Sequence, residues 1–226
     1  FSKEDSEYRY IGMEKVPGRD MNNVEDKGLF LDLVEQAGEE LRNLQELRSF
    51  DEGGKLAALE SGELEVRAFD WAEMYKSLLF TYTTHMIDRR YDRLREEIER
   101  IVEENIEEID VRNFSIVHQE FGPRNIMFQE DSVTGIIDWE RAIAGDPVFD
   151  QVQTRERMIQ KAEGLEIENP REKVERALEQ GYGENIYSDV PETREALYQL
   201  AYIGQLMWVA REKGPQLGLE NKFEKL

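Results

Sequence analysis

Apolar residues recur at helical spacing through most of this chain, and this periodicity limits the folds available to it. Between about residues 26 and 48 one set of apolar side chains recurs every three or four positions: Phe30, Leu33, Val34, Ala37, Leu41 and Leu44. That spacing places the set on one face of an amphipathic helix. Similar patterns predict five further helices, over about 70–87, 88–109, 147–163, 170–181 and 192–213. The sequence therefore predicts a mostly helical protein.

Short β-type runs interrupt the helical pattern in the middle of the chain. These runs are FSIV at 114–117, NIMF at 125–128 and VTGIID at 133–138. Another strand is predicted over residues 8–16, before the turn signal Pro17-Gly18. Residues 51–63 contain Gly53-Gly54 and are expected to form a loop. The expected fold class is α+β and mostly helical, with a few short strands.

The charge composition narrows the range of partners. The 226 residues include 50 acidic and 29 basic side chains, for a formal net charge of −21. Such a field repels nucleic acid phosphates and anionic lipid, so neither nucleic acid nor a membrane is an expected partner. Two interpretations of the acidity stay open. It is typical either of heavily solvated helix faces or of a halophilic protein adapted to high salt, and an excess of arginine over lysine favours the second.

The chain contains no cysteine, which excludes disulfides, thiolate metal sites and cysteine nucleophiles. No apolar run approaches the length needed to span a bilayer. The first ten residues, FSKEDSEYRY, lack the apolar segment of a signal peptide. A cytoplasmic location is therefore expected. Phe1, in place of an initiator methionine, indicates that the sequence starts inside a longer natural chain.

Residues 117–150 carry the side chains with the clearest chemical potential. His118, Glu120 and Asn125 follow the first short run, and Asp138 ends the third. Two adjacent short strands would bring Asn125 and Asp138 to the same end of a hairpin. Amide and carboxylate oxygens suit Mg²⁺, which takes few protein ligands. A carboxylate on the intervening loop, that of Glu120, could accept a proton from a hydroxyl, as phosphoryl transfer to an alcohol requires.

The spacing of these residues resembles that of known catalytic loops. His118-Gln119-Glu120, followed by Asn125, matches the His-Arg-Asp-x-x-x-x-Asn pattern of protein kinases, with glutamate in the aspartate position. Asp138 then matches the metal-binding aspartate of Asp-Phe-Gly.

The residues after Asp138 are not those of protein kinases. Ile137-Asp138-Trp139-Glu140, followed by Gly145-Asp146-Pro147, resembles the aminoglycoside phosphotransferase and choline kinase families. The resemblance implies the C-terminal lobe of a kinase-like phosphotransferase, with a hinge strand over 1–18 and a helical catalytic lobe over 19–226. Residues 11–18 are similar to the strand whose backbone holds adenine, which implies such contacts at Glu14 and Val16.

The resemblance also implies an activity, with ATP and Mg²⁺ as cofactors. The γ-phosphate of ATP would pass to a hydroxyl of a small molecule that is aminoglycoside-like, choline-like or sugar-like. Glu120 would be the base, with His118 in a supporting role that ties down the loop. Asn125 and Asp138 would hold the metal.

Two departures from the family pattern keep an alternative open. The N-terminal lobe that clamps the nucleotide has no counterpart in this sequence, so the isolated lobe is expected to be weak or inactive. Glu120 is also one methylene longer than the usual aspartate, and a misplacement of roughly 1 Å can reduce a rate about a hundredfold. The alternative is a non-catalytic, pseudokinase-like binding module. Asp146 and Asp150 are interpreted as a helix cap and a loop anchor.

Overall fold

The computed structural model describes residues 2–4, 9–11, 15–58, 64–85, 92–183, 186–187 and 190–213. Six α-helices lie within these residues. They are α1 (Lys27–Glu46), α2 (Trp71–His85), α3 (Asp92–Asn105), α4 (Pro147–Gly164), α5 (Pro170–Tyr182) and α6 (Glu192–Lys213). The predicted fold class, α+β and mostly helical, is confirmed.

Ten short strands form three antiparallel sheets in the described part of the chain. They are β1 (Ser2–Glu4), β2 (Arg9–Ile11), β3 (Arg19–Asp20), β4 (Ser49–Phe50), β5 (Gly54–Ala58), β6 (Leu64–Ala68), β7 (Phe114–Val117), β8 (Ile126–Gln129), β9 (Ser132–Ile136) and β10 (Ile143–Gly145). The largest sheet has the order β4-β7-β10-β5-β6, a second has the order β3-β8-β9, and β1 pairs with β2. The predicted hairpin of two short strands is β8–β9, in which Ile126 lies opposite Ile136.

The predicted helices are confirmed, most of them to within a few residues. The α1 helix begins after Asp26, whose side chain accepts a hydrogen bond from the backbone N–H of Leu29. Its predicted apolar face is buried throughout. The α3 helix ends at Asn105, earlier than predicted, and Ile106–Ile109 continues as a 3-10 turn.

One expected loop is a strand in the structure. Residues 51–63 were expected to be a loop because Gly53-Gly54 is a turn signal, but Gly54–Ala58 pairs with β6 and β10. A Cβ at Gly54 would collide with the backbone carbonyl of Arg67 on β6. Glycine is therefore required here by a close approach of two strands, and not by a turn.

The strands also differ from the expectation in three places. In the predicted strand over 8–16, the structure has β2 at Arg9–Ile11, and Glu14 lies outside the described residues. The β9 strand ends at Ile136, so Asp138 follows the strand and does not belong to it. The three-residue strand β10 was not predicted, because so short a run carries no periodic signal.

Helix packing builds the core and holds the loops that carry the candidate residues. The α1 and α5 helices approach closely, since a Cβ at Gly38 would collide with the carbonyl of Leu178 and one at Gly181 with the carbonyl of Glu35. The α4 helix packs against α5, α6 and β7. Among the described residues, no helix is long and apolar enough to cross a membrane.

Candidate active site

His118 closes the loop that joins β7 to β8. The ring is fully buried, and its Nε2 lies 2.9 Å from the carbonyl oxygen of Ile137. Its Nδ1 lies 3.2 Å from the backbone nitrogen of Glu120. A carbonyl only accepts and a backbone N–H only donates, so the two partners require a neutral ring with its proton on Nε2. His118 thus ties the loop at Glu120 to the segment that leads into Asp138.

The Asp150 carboxylate, on the first turn of α4, holds the backbone of the same loop. It accepts hydrogen bonds from the backbone N–H of His118 at 2.6 Å and of Gln119 at 2.9 Å. Burial raises the pKa of Asp150 above its ordinary value, whereas the two N–H groups and the charge of Arg157 act in the opposite direction. The interpretation of Asp150 as a loop anchor is confirmed.

Two further α4 side chains hold the carbonyl groups of the loop. Thr154 Oγ1 donates to the carbonyl of Phe121 at 3.2 Å. Arg157 donates to the carbonyls of Gln119 at 3.1 Å and Phe121 at 3.4 Å. Together with Asp150 these residues fall at intervals of four and three positions, which is one face of a helix. Neither residue was predicted from the sequence, although polar residues at helical spacing after Asp150 were a usable signal.

Asn125 sits at the start of β8, where the loop meets the hairpin. Its side-chain Nδ2 donates to the carbonyl of Glu120 at 3.0 Å, which leaves its Oδ1 as a possible ligand for a cation. Its own carbonyl accepts the N–H of Ile137 at 2.9 Å. Asn125 and Asp138 therefore lie at the same end of the β8–β9 hairpin, as the sequence analysis expected.

Asp138 has left-handed backbone angles, φ 66° and ψ 57°, and an exposed side chain. Aspartate is one of the few residue types that adopt this conformation readily. In the described part of the chain, no cluster of three or more histidine, aspartate or glutamate side chains could hold a metal by itself. Mg²⁺ binds through one or two protein oxygens together with phosphate and water, so the pair Asn125 and Asp138 fits it.

The carboxylate of Glu120 is held by an arginine that follows Asp138. Arg141 Nη1 donates to Glu120 Oε1 at 2.9 Å, and the Glu120 side chain is 28% exposed. The Gln119 side chain donates to the Arg141 carbonyl at 2.7 Å. These two bonds join the loop to the 3-10 turn Trp139–Arg141. Arg141 was not predicted from the sequence as a residue of the site.

Asp146 caps α4, as predicted, and is fully buried in a hydrogen-bonded network. Its side chain accepts from the backbone N–H of Val148 at 3.0 Å, from Arg194, and from the hydroxyl of Tyr198 at 2.6 Å. The indole N–H of Trp71 donates to the same hydroxyl at 2.9 Å. Burial raises the pKa of Tyr198 well above its ordinary value, and the charge of Asp146 raises it further. The hydroxyl therefore stays protonated and donates to Asp146.

The segment assigned to adenine runs beside the same hairpin. Val16 is half-buried, and a Cβ at Gly135 on β9 would lie 3.0 Å from its side chain. Thr134 Oγ1 donates to the carbonyl of Pro17 at 2.7 Å. The other predicted adenine contact, Glu14, falls outside the described residues.

A sequence model described as the phosphotransferase enzyme family, APH, matches residues 2–195. The chain belongs to this family. The match includes residues 11–18, the loop after β7 and the motif around Asp138. The resemblance to aminoglycoside phosphotransferases that these residues suggested is confirmed. No curated protein sequence matches the chain.

Solved structures of aminoglycoside phosphotransferases and of a glucosamine kinase share the fold of this chain. A thermostable mutant of aminoglycoside phosphotransferase APH(4)-Ia, in a ternary complex with ADP and hygromycin B, has a TM-score of 0.61 and 15% identity. That alignment covers 87% of this chain and 62% of the other.

Two more structures extend the comparison. Aminoglycoside phosphotransferase APH(3'')-Id from Streptomyces rimosus ATCC10970 has a TM-score of 0.56 and 16% identity, over 84% of this chain and 67% of the other. A glucosamine kinase in complex with glucosamine, ADP and inorganic phosphate has a TM-score of 0.55 and 12% identity. That alignment covers 92% of this chain and 61% of the kinase. At these identities the likeness establishes the fold, and the chain spans about three fifths of APH(4)-Ia and of the glucosamine kinase.

Proposed function

We propose that the protein transfers the γ-phosphate of ATP to a hydroxyl group of a small molecule. The observation that supports the proposal is that three residues with oxygen-bearing side chains lie on neighbouring segments. The loop after β7 presents Glu120, and one end of the β8–β9 hairpin presents Asn125 and Asp138. A base beside oxygen ligands for Mg²⁺ is what phosphoryl transfer to an alcohol requires.

Each side chain has a distinct task in this proposal. Glu120 accepts the proton of the hydroxyl as the new O–P bond forms and the bond from the γ-phosphorus to the bridging oxygen breaks, which releases ADP. Asn125 and Asp138 hold Mg²⁺, which when bound neutralises charge on the phosphates. His118, as a neutral ring, keeps the N–H of Glu120 in place and is a positioning residue.

The remaining assignments follow the family pattern. Residues 1–18 act as the hinge strand, with backbone contacts from Glu14 and Val16 to adenine, and residues 19–226 act as the catalytic lobe. The packing of Val16 against Gly135 supports this assignment, because Gly135 lies one residue before the end of β9 that leads into Asp138. Binding of ADP by the APH(4)-Ia and glucosamine kinase structures supports ATP as the donor.

The acceptor class is proposed from the same neighbours. Those structures contain hygromycin B and glucosamine, which are hydroxyl-rich and carry amino groups. An amino sugar or an aminoglycoside is therefore the first acceptor to test, followed by choline.

A second candidate function is a non-catalytic binding module. The contact that favours it is the ion pair between Glu120 and Arg141, because a carboxylate engaged by a cation is less available to a hydroxyl proton. Nucleotide binding without transfer is the property that separates this candidate from the enzyme.

The test uses the full-length natural protein with radiolabelled ATP and Mg²⁺. An aminoglycoside, glucosamine and choline are supplied in turn, and the label on each acceptor is measured in single-turnover reactions. Label on at least one acceptor, lost when EDTA is added, is the expected result. Nucleotide binding with no label on any acceptor would favour the binding module.

A further inference from the structure

A single arginine connects the proposed base to the proposed metal end of the site. Arg141 ends the 3-10 turn that follows Asp138, and its Nη1 lies 2.9 Å from Glu120 Oε1. In return, Gln119 donates its side-chain N–H to the backbone carbonyl of Arg141. Two bonds of opposite direction therefore fix the turn against Gln119 and Glu120 of the loop.

The backbone at Gln119 indicates that this connection is specifically maintained. Gln119 has a φ of 69°, a left-handed conformation that costs a non-glycine residue free energy. Asp150 and Arg157 hold its N–H and its carbonyl, and the Gln119 side chain reaches Arg141. A strained residue that is fixed on all sides fits a site that requires defined geometry.

The ion pair between Glu120 and Arg141 is not explained by a contribution to folding stability. Both side chains are partly exposed, 28% for Glu120 and 42% for Arg141, and ion pairs of that kind add little net stability. A glutamate, however, has one more rotatable bond than an aspartate, and an unrestrained Glu120 would place its carboxylate in several positions. The contact with Arg141 selects one of them.

We propose that Arg141 is a positioning residue that holds the longer Glu120 carboxylate where the acceptor hydroxyl binds. This inference rests on the proposed function. An aspartate at position 120 would withdraw the carboxylate by about 1.5 Å, one carbon–carbon bond, and so lose the hydrogen bond to Arg141. Arg141 is therefore required with glutamate at position 120 and dispensable with aspartate.

The kinetic test is a double-mutant cycle in the full-length protein, with the acceptor that the wild type uses. Arg141→Ala lowers kcat about ten- to a hundredfold, as expected for a misplaced catalytic group, and leaves KM for Mg·ATP unchanged. Arg141→Lys recovers most of the loss, because the contact involves only one N–H. With Asp at position 120, the Arg141→Ala change lowers kcat less than about twofold.

Two kinetic outcomes would overturn the proposal. One is an equal loss from Arg141→Ala in both backgrounds. The other is a rise in KM for Mg·ATP with kcat unchanged, which would make Arg141 a phosphate ligand. Arg100→Ala is the matched control, since it removes an exposed, ion-paired arginine from α3 and leaves kcat unchanged.

A spectroscopic readout separates this inference from the proposed function. The guanidinium signals of Arg141 in ¹⁵N NMR shift when Glu120 is replaced by glutamine, and those of Arg194, paired with Asp146, do not. An unchanged Arg141 signal would overturn the contact itself. If the Arg141 signal shifts on this replacement but the wild-type protein transfers no phosphate, the contact is present and the proposed function is overturned, together with the positioning role.

Discussion

Two residues of the site have backbone conformations that most side chains avoid. Gln119 and Asp138 both have left-handed angles, with φ of 69° and 66°. Such positions persist only where the surrounding structure holds them, and they are concentrated at functional sites. At Asp138 the conformation turns the chain at the end of the hairpin, and the side chain is exposed.

A substitution at Asp138 tests the proposed metal site. Asp138→Asn removes the charge but keeps a side chain that tolerates left-handed angles, so strain is not introduced. We expect the affinity for Mg·ATP, measured by isothermal titration, to fall at least about tenfold, because the carboxylate is the only charged ligand proposed. The affinity for ATP in EDTA should stay unchanged.

The matched control for this titration is Asp131→Asn, which alters an exposed aspartate in the β8–β9 turn. It should leave both affinities at their wild-type values. Equal affinity of wild type and Asp138→Asn for Mg·ATP would contradict the metal role.

Single residues of the site were predictable from spacing, but their partners were not. The interval from His118 to Asn125 and the position of Asp138 are visible in the sequence. The pairing of Glu120 with Arg141 joins residues 21 positions apart and depends on the path of the turn after Asp138. Sequence periodicity carries no information about such tertiary contacts.

At the scale of elements, α4 supports the loop that joins β7 to β8. Asp150, Thr154 and Arg157 present one face of this helix to the loop, and they bind its N–H and carbonyl groups. The N-terminus of the helix is fixed in turn by the cap at Asp146. The position of Glu120 thus depends on a helix that begins 27 residues after it in the sequence.

A substitution at Asp150 tests this support. In Asp150→Asn the amide group can accept from only one of the two backbone N–H groups, and its own NH₂ faces the other. We expect a loss of about 1–3 kcal/mol in the free energy of unfolding, measured in urea, because a buried donor loses its partner. Phosphoryl transfer should fall as well, since the loop is released.

The comparison variant is Tyr198→Phe. It leaves the indole N–H of Trp71 without its acceptor and should reduce the free energy of unfolding by a similar amount. Tyr198 binds Asp146 and not the loop, so transfer should continue at the wild-type rate. An Asp150→Asn protein with wild-type stability and rate would show that α4 does not control the loop.

The helical elements were the most predictable part of the fold, because α1 and α4 to α6 carry long periodic patterns, and Asp26 and Asp146 cap α1 and α4. The short strands were less predictable. Gly54 lies in a strand because another backbone passes close to it, and β10 is too short for any periodic signal. Both features depend on neighbours in space.

The whole molecule carries a net charge of −21, and this charge predicts a response to salt. The Debye length falls from about 10 Å at roughly 0.1 M salt to about 3 Å at roughly 1 M, which screens self-repulsion in the folded state. We expect Tm to rise with KCl over this range. A Tm that is constant or falls would contradict the halophilic interpretation.

A variant with less charge provides the control. Glu96, Glu107 and Glu108 are exposed, and replacement of all three by glutamine removes three negative charges. Its Tm should rise less steeply with KCl than that of the wild type. If Tm rises equally steeply with KCl in both proteins, the rise comes from the salt ions and not from screening of the protein's charge.

The central claim for the whole molecule is that Glu120 is the base of a phosphotransferase. Its most direct test is single-turnover transfer from radiolabelled ATP to the accepted hydroxyl compound by the full-length protein. Glu120→Ala should be slower by about 10²–10⁴-fold, the usual contribution of a general base. Glu120→Asp should be faster than Glu120→Ala, because it keeps a carboxylate base, and Glu96→Ala, which removes an exposed carboxylate from α3, should match the wild type. Transfer by Glu120→Ala at the wild-type rate would contradict the account.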